Sequence, residues 1–119
     1  MSAGIFVVED DPIVAEVISW RVKEMGYMVC GTAQTGEDAV EFCKKCHPDL
    51  VIMDIGLKGK VNGIDAAVKI KKDMKIPLIF LTAHTEDKYL EQVKKVGPDG
   101  FIHKPFDDDD LRVALTLVL

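Results

Sequence analysis

Five short apolar runs, rich in β-branched and aromatic side chains, punctuate the chain at Ile5–Val8, Met28–Cys30, Leu50–Met53, Leu78–Leu81 and Phe101–Ile102. Three of these are apolar tetrapeptides without polar alternation, the pattern of parallel strands covered by helices on both faces. The stretches between them carry helix signals. Asp11 followed by Pro12 reads as an N-cap with proline at the first helical position, and Ile13, Val14, Val17, Ile18, Val22 and Met25 form one apolar stripe before Gly26 stops the helix. Thr35 with Asp38 resembles a capping box opening a helix that ends near His47-Pro48. Gly63 to Asp73, Thr85 to Val96, and Asp107 to the chain end supply three more. Strand and helix thus alternate five times, which predicts an α/β fold: a doubly wound, five-stranded parallel sheet with right-handed crossovers.

Length and charge narrow this picture. The 119 residues suit a single domain over 1–119 with one core. The net charge of −5, with acidity gathered at Asp107, Asp108, Asp109 and Asp110, argues against a phosphate-backbone surface and so against direct nucleic-acid binding. That aspartate run reads as the acidic first turn of the last helix. No apolar stretch approaches the roughly 18 residues of a membrane span. The apolar run near the start stops at Glu9, too short for a secretory signal, so a cytoplasmic location without membrane contact is expected. Cys30, Cys43 and Cys46 make an odd count and are read as reduced thiols. Cys43-Lys44-Lys45-Cys46-His47 matches the C-x-x-C-H haem-attachment pattern literally. It falls at the end of a helix already accounted for, and the bland reading puts Cys43 on the core side. The single Trp20 is expected to be partly buried. Val113 and Leu117 place apolar side chains outside the Leu111, Leu115 and Val118 stripe, so the last helix either meets a partner or continues into a longer chain.

Chemistry enters where polar residues end the strands. The first strand runs into Glu9, Asp10 and Asp11, the third into Asp54, the fourth into Thr82, and the fifth into His103, Lys104 and Pro105. In an open parallel sheet these carboxyl ends share one edge, where ligands bind at the topological switch point. Clustered carboxylates repel one another unless a cation sits among them. Mg²⁺ suits such a place, because it takes oxygen ligands and needs few carboxylates besides water and phosphate oxygens. An aspartate there can attack phosphorus, while Lys104 and the Thr82 hydroxyl can receive the charge on the phosphoryl oxygens.

Val7-Val8-Glu9-Asp10-Asp11-Pro12, Met53-Asp54, Leu81-Thr82-Ala83 and Lys104-Pro105-Phe106 resemble, in order and spacing, the four signature segments of response regulator receiver domains of two-component signalling. The resemblance covers essentially the whole chain. It implies the flavodoxin-like strand order 2-1-3-4-5 of chemotaxis-regulator-like receivers, with Asp54 as phospho-acceptor. It further implies Glu9, Asp10, Asp54 and the Gly56 carbonyl as Mg²⁺ ligands, Thr82 and Lys104 as phosphoryl contacts, Phe101 as aromatic switch, and a cis Lys104-Pro105 bond. Asp11 then caps the first helix. The implied partner is a sensor histidine kinase or phosphotransfer protein. A homodimer would use the face of the fourth helix, last strand and last helix, and a longer parent chain could be a hybrid histidine kinase. A receiver promotes its own phosphorylation and dephosphorylation but is not otherwise an enzyme.

Two departures stand out: Lys58 replaces the proline usual four residues after the acceptor, and the loop from Gly56 to Gly63 is one residue longer than usual. Gly56 and His84 occupy the positions that tune phosphate lifetime in the family. The competing reading is an aspartate-nucleophile hydrolase of the haloacid-dehalogenase type. Those enzymes carry Asp-x-Asp after the first strand, whereas Asp54-Ile55-Gly56 lacks the second aspartate and follows the third. A pseudo-receiver acting only by binding is opposed by the intact Asp54, Thr82 and Lys104.

Overall fold

In the computed structural model, which describes residues 3–57, 62–83 and 86–119, the elements alternate as expected. They are β1 (Gly4–Val8), α1 (Pro12–Glu24), β2 (Met28–Ala33), α2 (Gly36–Cys46), β3 (Leu50–Met53), α3 (Gly63–Val68), β4 (Leu78–Thr82), α4 (Asp87–Val96), β5 (Gly100–His103) and α5 (Asp108–Val118). The strands form one parallel sheet in the order β2-β1-β3-β4-β5. β1, β3 and β4 are buried along their whole length, as the unbroken apolar runs require. Phe6, Val8, Val51, Met53 and Phe80 face the α2–α3–α4 side, and Ile5, Val7, Ile52, Ile79 and Leu81 the α1–α5 side.

The helix starts follow their caps. Asp11 accepts a hydrogen bond from Ile13 N at 2.9 Å with Pro12 behind it, and Thr35 Oγ1 accepts from Asp38 N at 3.2 Å. Asp107 and Asp110 form a reciprocal capping box at the start of α5, where the aspartate run offsets the helix dipole.

Several expectations change. On α1 the covered positions are Ala15, Ile18, Ser19 and Val22, while Ile13 and Val17 are exposed, as is Trp20 at 61%. The buried stripe is therefore rotated from the one the apolar residues suggest. α3 passes into a π-helical turn at Lys69–Asp73 before Lys75 takes a left-handed backbone and ends it. β2 and β5 extend beyond their apolar cores because ladder partners on β1 and β4 continue to pair with them. α4 begins at Asp87, and Thr85, read as its start, lies outside the described residues. Lys58, the rest of 58–61, and His84 also lie outside them. Cys43 is fully buried, as expected, and Leu111 and Leu115 anchor α5 while Val113 and Leu117 stay exposed. Among the described residues no helix is long and apolar enough to cross a membrane.

Candidate functional site

Backbone pairing brings the polar strand ends together. Glu9 N donates to Ala33 O at 2.9 Å, Asp54 N to Val8 O at 3.0 Å, and Lys104 N to Thr82 O at 2.9 Å. The residues that directly follow β1, β3 and β5 are thereby held at the same edge of the sheet. Oxygens of Glu9, Asp10 and Asp54 lie within 4.8 Å of one another. Lys104 Nζ reaches into this group, hydrogen-bonding Glu9 Oε1 and lying 3.6 Å from Asp54 Oδ2. The Lys104-Pro105 bond is cis, as expected.

Asp54 is 8% exposed, and its Oδ1 accepts from Gly56 N at 3.2 Å. Glu9 is 2% exposed and its Oε2 accepts from Asp11 N at 3.2 Å. Burial pushes the Glu9 carboxyl up to about 7; Lys104 pulls it down, and Asp10 and Asp54 add to the rise. One lysine thus does not neutralise three carboxylates. An all-oxygen set with excess negative charge, packed this closely, fits a hard divalent cation such as Mg²⁺.

Thr82 is fully buried at the end of β4, where it pairs with His103 in the ladder. Phe101, two residues before His103, pairs with Phe80 in the ladder and leaves 36% of its surface in solvent. The structure therefore gathers Glu9, Asp10, Asp54 and Lys104 at one edge, with Thr82 and Gly56 on the adjoining strand end and loop; Phe101 lies back along β5. Asp11 turns away from the cluster to cap α1.

Gly63, which the sequence marks only as a helix start, also bears on this geometry. A Cβ on Gly63 would lie 2.1 Å from the Asp54 carbonyl oxygen and 2.7 Å from Ile55 Cα. Gly63 N also donates to Ile55 O at 3.1 Å, and Asn62 caps α3 by accepting from Asp65 N at 2.8 Å. The start of α3 thus presses against the backbone that carries Asp54. A glycine following an asparagine was the available signal.

The profile of the family described as "Response regulator receiver domain" matches residues 5–116. Among curated proteins, the Transcriptional regulatory protein PdtaR of Mycobacterium tuberculosis is 32% identical over 115 residues, covering 97% of this chain and 56% of that protein. The chain thus spans about half the length of the curated relatives it matches. Among solved structures, the signal receiver domain of a modulated diguanylate cyclase from Desulfovibrio desulfuricans superposes with TM-score 0.93 at 28% identity, over 99% of this chain and 94% of that one. The receiver domain of a sensor histidine kinase from Pseudomonas aeruginosa, with a magnesium ion coordinated in its active site cleft, gives TM-score 0.86 at 26% identity, over 99% and 98%. The strand order and these neighbours make the fold flavodoxin-like.

Proposed function

Because the chain belongs to the response regulator receiver domain family of two-component signalling, we propose that it is a single receiver unit over 1–119 in which Asp54 accepts a phosphoryl group. The donor is a phosphohistidine of a sensor histidine kinase or phosphotransfer protein. A carboxylate oxygen of Asp54 forms a bond to phosphorus as the phosphorus–nitrogen bond breaks, leaving an acyl phosphate and a free imidazole. The observation that carries this reading is the meeting of Asp54 with Glu9 and Asp10 within 4.8 Å, beside the Lys104 ammonium at 3.6 Å.

Glu9, Asp10, Asp54 and the Gly56 carbonyl would hold Mg²⁺, which when bound supplies positive charge to the phosphoryl oxygens. Lys104 then pairs with one phosphoryl oxygen and the Thr82 hydroxyl donates to another. Drawing Thr82 toward the phosphate vacates space beside β5 for the Phe101 ring, so the surface around β4 and β5 takes a second arrangement. That surface, with α4 and α5, would signal to a partner, a second copy or an output domain. The chain is a phospho-acceptor, not a turnover enzyme, and does not itself contact nucleic acid. A donor of this kind places it in the cytoplasm, either alone or within a longer regulator or hybrid kinase. Asp54→Asn should abolish Mg²⁺-dependent labelling by acetyl phosphate and binding of BeF₃⁻; undiminished labelling would overturn the assignment.

A further inference from the structure

Three thiols that take no part in this chemistry lie on β2 and on the last turn of α2, toward the opposite rim of the sheet. α2 approaches β2 closely where Phe42 lies over Gly31: a Cβ there would be 2.9 Å from Phe42 Cε2, and the Phe42 ring stacks on Phe6 at 4.0 Å between centroids. Cys46 follows Phe42 by four residues and so lies on the same stripe of α2, about 6 Å further along its axis. Since α2 runs back between two parallel strands, that step leads toward the start of β2. Cys30 immediately precedes Gly31, a step in the same direction along the strand.

The sheet register breaks at this point. Ile5 pairs with Val29 and Phe6 with Gly31, so Cys30 is the extra residue of a bulge, a device that re-aims a side chain. Its thiol donates to Ile5 O at 3.3 Å, and its Sγ lies 3.8 Å from where a Cβ on Gly4 would stand. Gly4 shares the α2-facing side of β1 with Phe6, which turns Cys30 toward α2. Burial raises the Cys30 thiol, and the neighbouring Cys46 adds to the rise. Burial likewise pushes Cys43 up to about 12, with Cys30 and Cys46 contributing. Cys30 and Cys46 are exposed, while Cys43 is sealed in the core.

We propose that Cys30 and Cys46 are a disulfide-forming pair, oxidised by low-molecular-weight disulfides, that staples the end of α2 to the bulge of β2. The accessible Cys46 thiolate attacks oxidised glutathione; its sulfur–sulfur bond breaks and one glutathione thiolate leaves. The Cys30 thiol gives its proton to solvent and attacks the Cys46 sulfur, releasing the second glutathione thiolate. Two cysteine thiols are oxidised and one glutathione disulfide is reduced to two thiols. Cys43 stays a thiol because it is buried and held protonated.

The test is to incubate the full chain with oxidised glutathione, digest it without reductant and map the linkages by mass spectrometry. The expected product is a Cys30–Cys46 peptide two hydrogens lighter than its reduced halves, in a chain that stays monomeric on a non-reducing gel. Cys43→Ser should leave this link intact, and Cys30→Ser should strand one glutathione on Cys46. A Cys43–Cys46 link, an intermolecular link, or glutathione persisting on Cys46 of the unaltered chain would overturn the proposal. Asp54→Asn should form the same link, so the outcome is independent of the phospho-acceptor assignment.

Discussion

Lys104 hydrogen-bonds Glu9 while standing 3.6 Å from Asp54, so one ammonium is shared between an acid proposed to hold metal and the proposed acceptor. A cation entering the cluster competes with Lys104 for Glu9, and a phosphoryl group on Asp54 offers Lys104 a new partner. Lys104→Met should therefore keep or tighten Mg²⁺ binding measured by calorimetry. The same variant should lower acetyl-phosphate labelling on the order of ten- to a hundredfold, the worth of one charge-assisted hydrogen bond. Equal loss of both would show that Lys104 only supports the fold.

Asp10 contributes to the carboxylate crowding and takes part in raising Glu9. Asp10→Asn should leave the metal-free protein as stable as before or more so, by up to about 1 kcal/mol, since like charges are relieved. It should also abolish the rise in melting temperature that millimolar Mg²⁺ gives the unaltered chain, a rise that chelation by EDTA reverses. Differential scanning calorimetry with and without Mg²⁺ checks both.

Gly63→Ala places a methyl group 2.1 Å from the Asp54 carbonyl oxygen, against backbone with no side chain to yield. The variant should lose about 1–3 kcal/mol or more in urea unfolding, the scale of overpacking, and label more slowly because Asp54 shifts with its loop. Unchanged stability would mean that α3 can slide away freely.

Asp99, just before β5, ties the start of β4 to the π-helical turn that follows α3. Its Oδ2 accepts from Lys71 Nζ at 2.8 Å and from Leu78 N at 2.9 Å. Burial pushes its carboxyl up, but these donors outweigh burial and hold it below the usual carboxylate range. A carboxyl depressed on folding adds stability above its unfolded value of about 4, and that contribution fades as pH falls through the folded value. Asp99→Asn should thus be less stable than the unaltered chain near neutrality and show a shallower loss of stability below about pH 4. Parallel acid-side curves for the two proteins would refute the linkage.

The polar residues that end the first, third, fourth and fifth apolar runs marked in the sequence most of the side chains that gather at one edge, because a strand buried on both faces can end in charge only where it leaves the core. Asp11, Thr35 and Asp107 were legible as caps for a local reason: each bonds a backbone amide two or three residues away. The metal ligands and switch residue came through resemblance, since nothing in the spacing alone selects Gly56 or Phe101.

Tertiary structure decided what depends on residues distant in the chain. Periodicity marks which positions of α1 are apolar, but docking on β1 and β2 chose Ala15 and Ser19 for the interior and left Ile13, Val17 and Trp20 outside. The tightness at Gly63 arises from the meeting of the β3 end with the start of α3, and that at Gly31 from the approach of Phe42 on α2 to β2. The partner of Lys104 is 95 residues away in sequence. Local patterns determine which segments become strands, helices and caps, because those preferences act over a few residues; contacts between elements are set only once the sheet has closed its order.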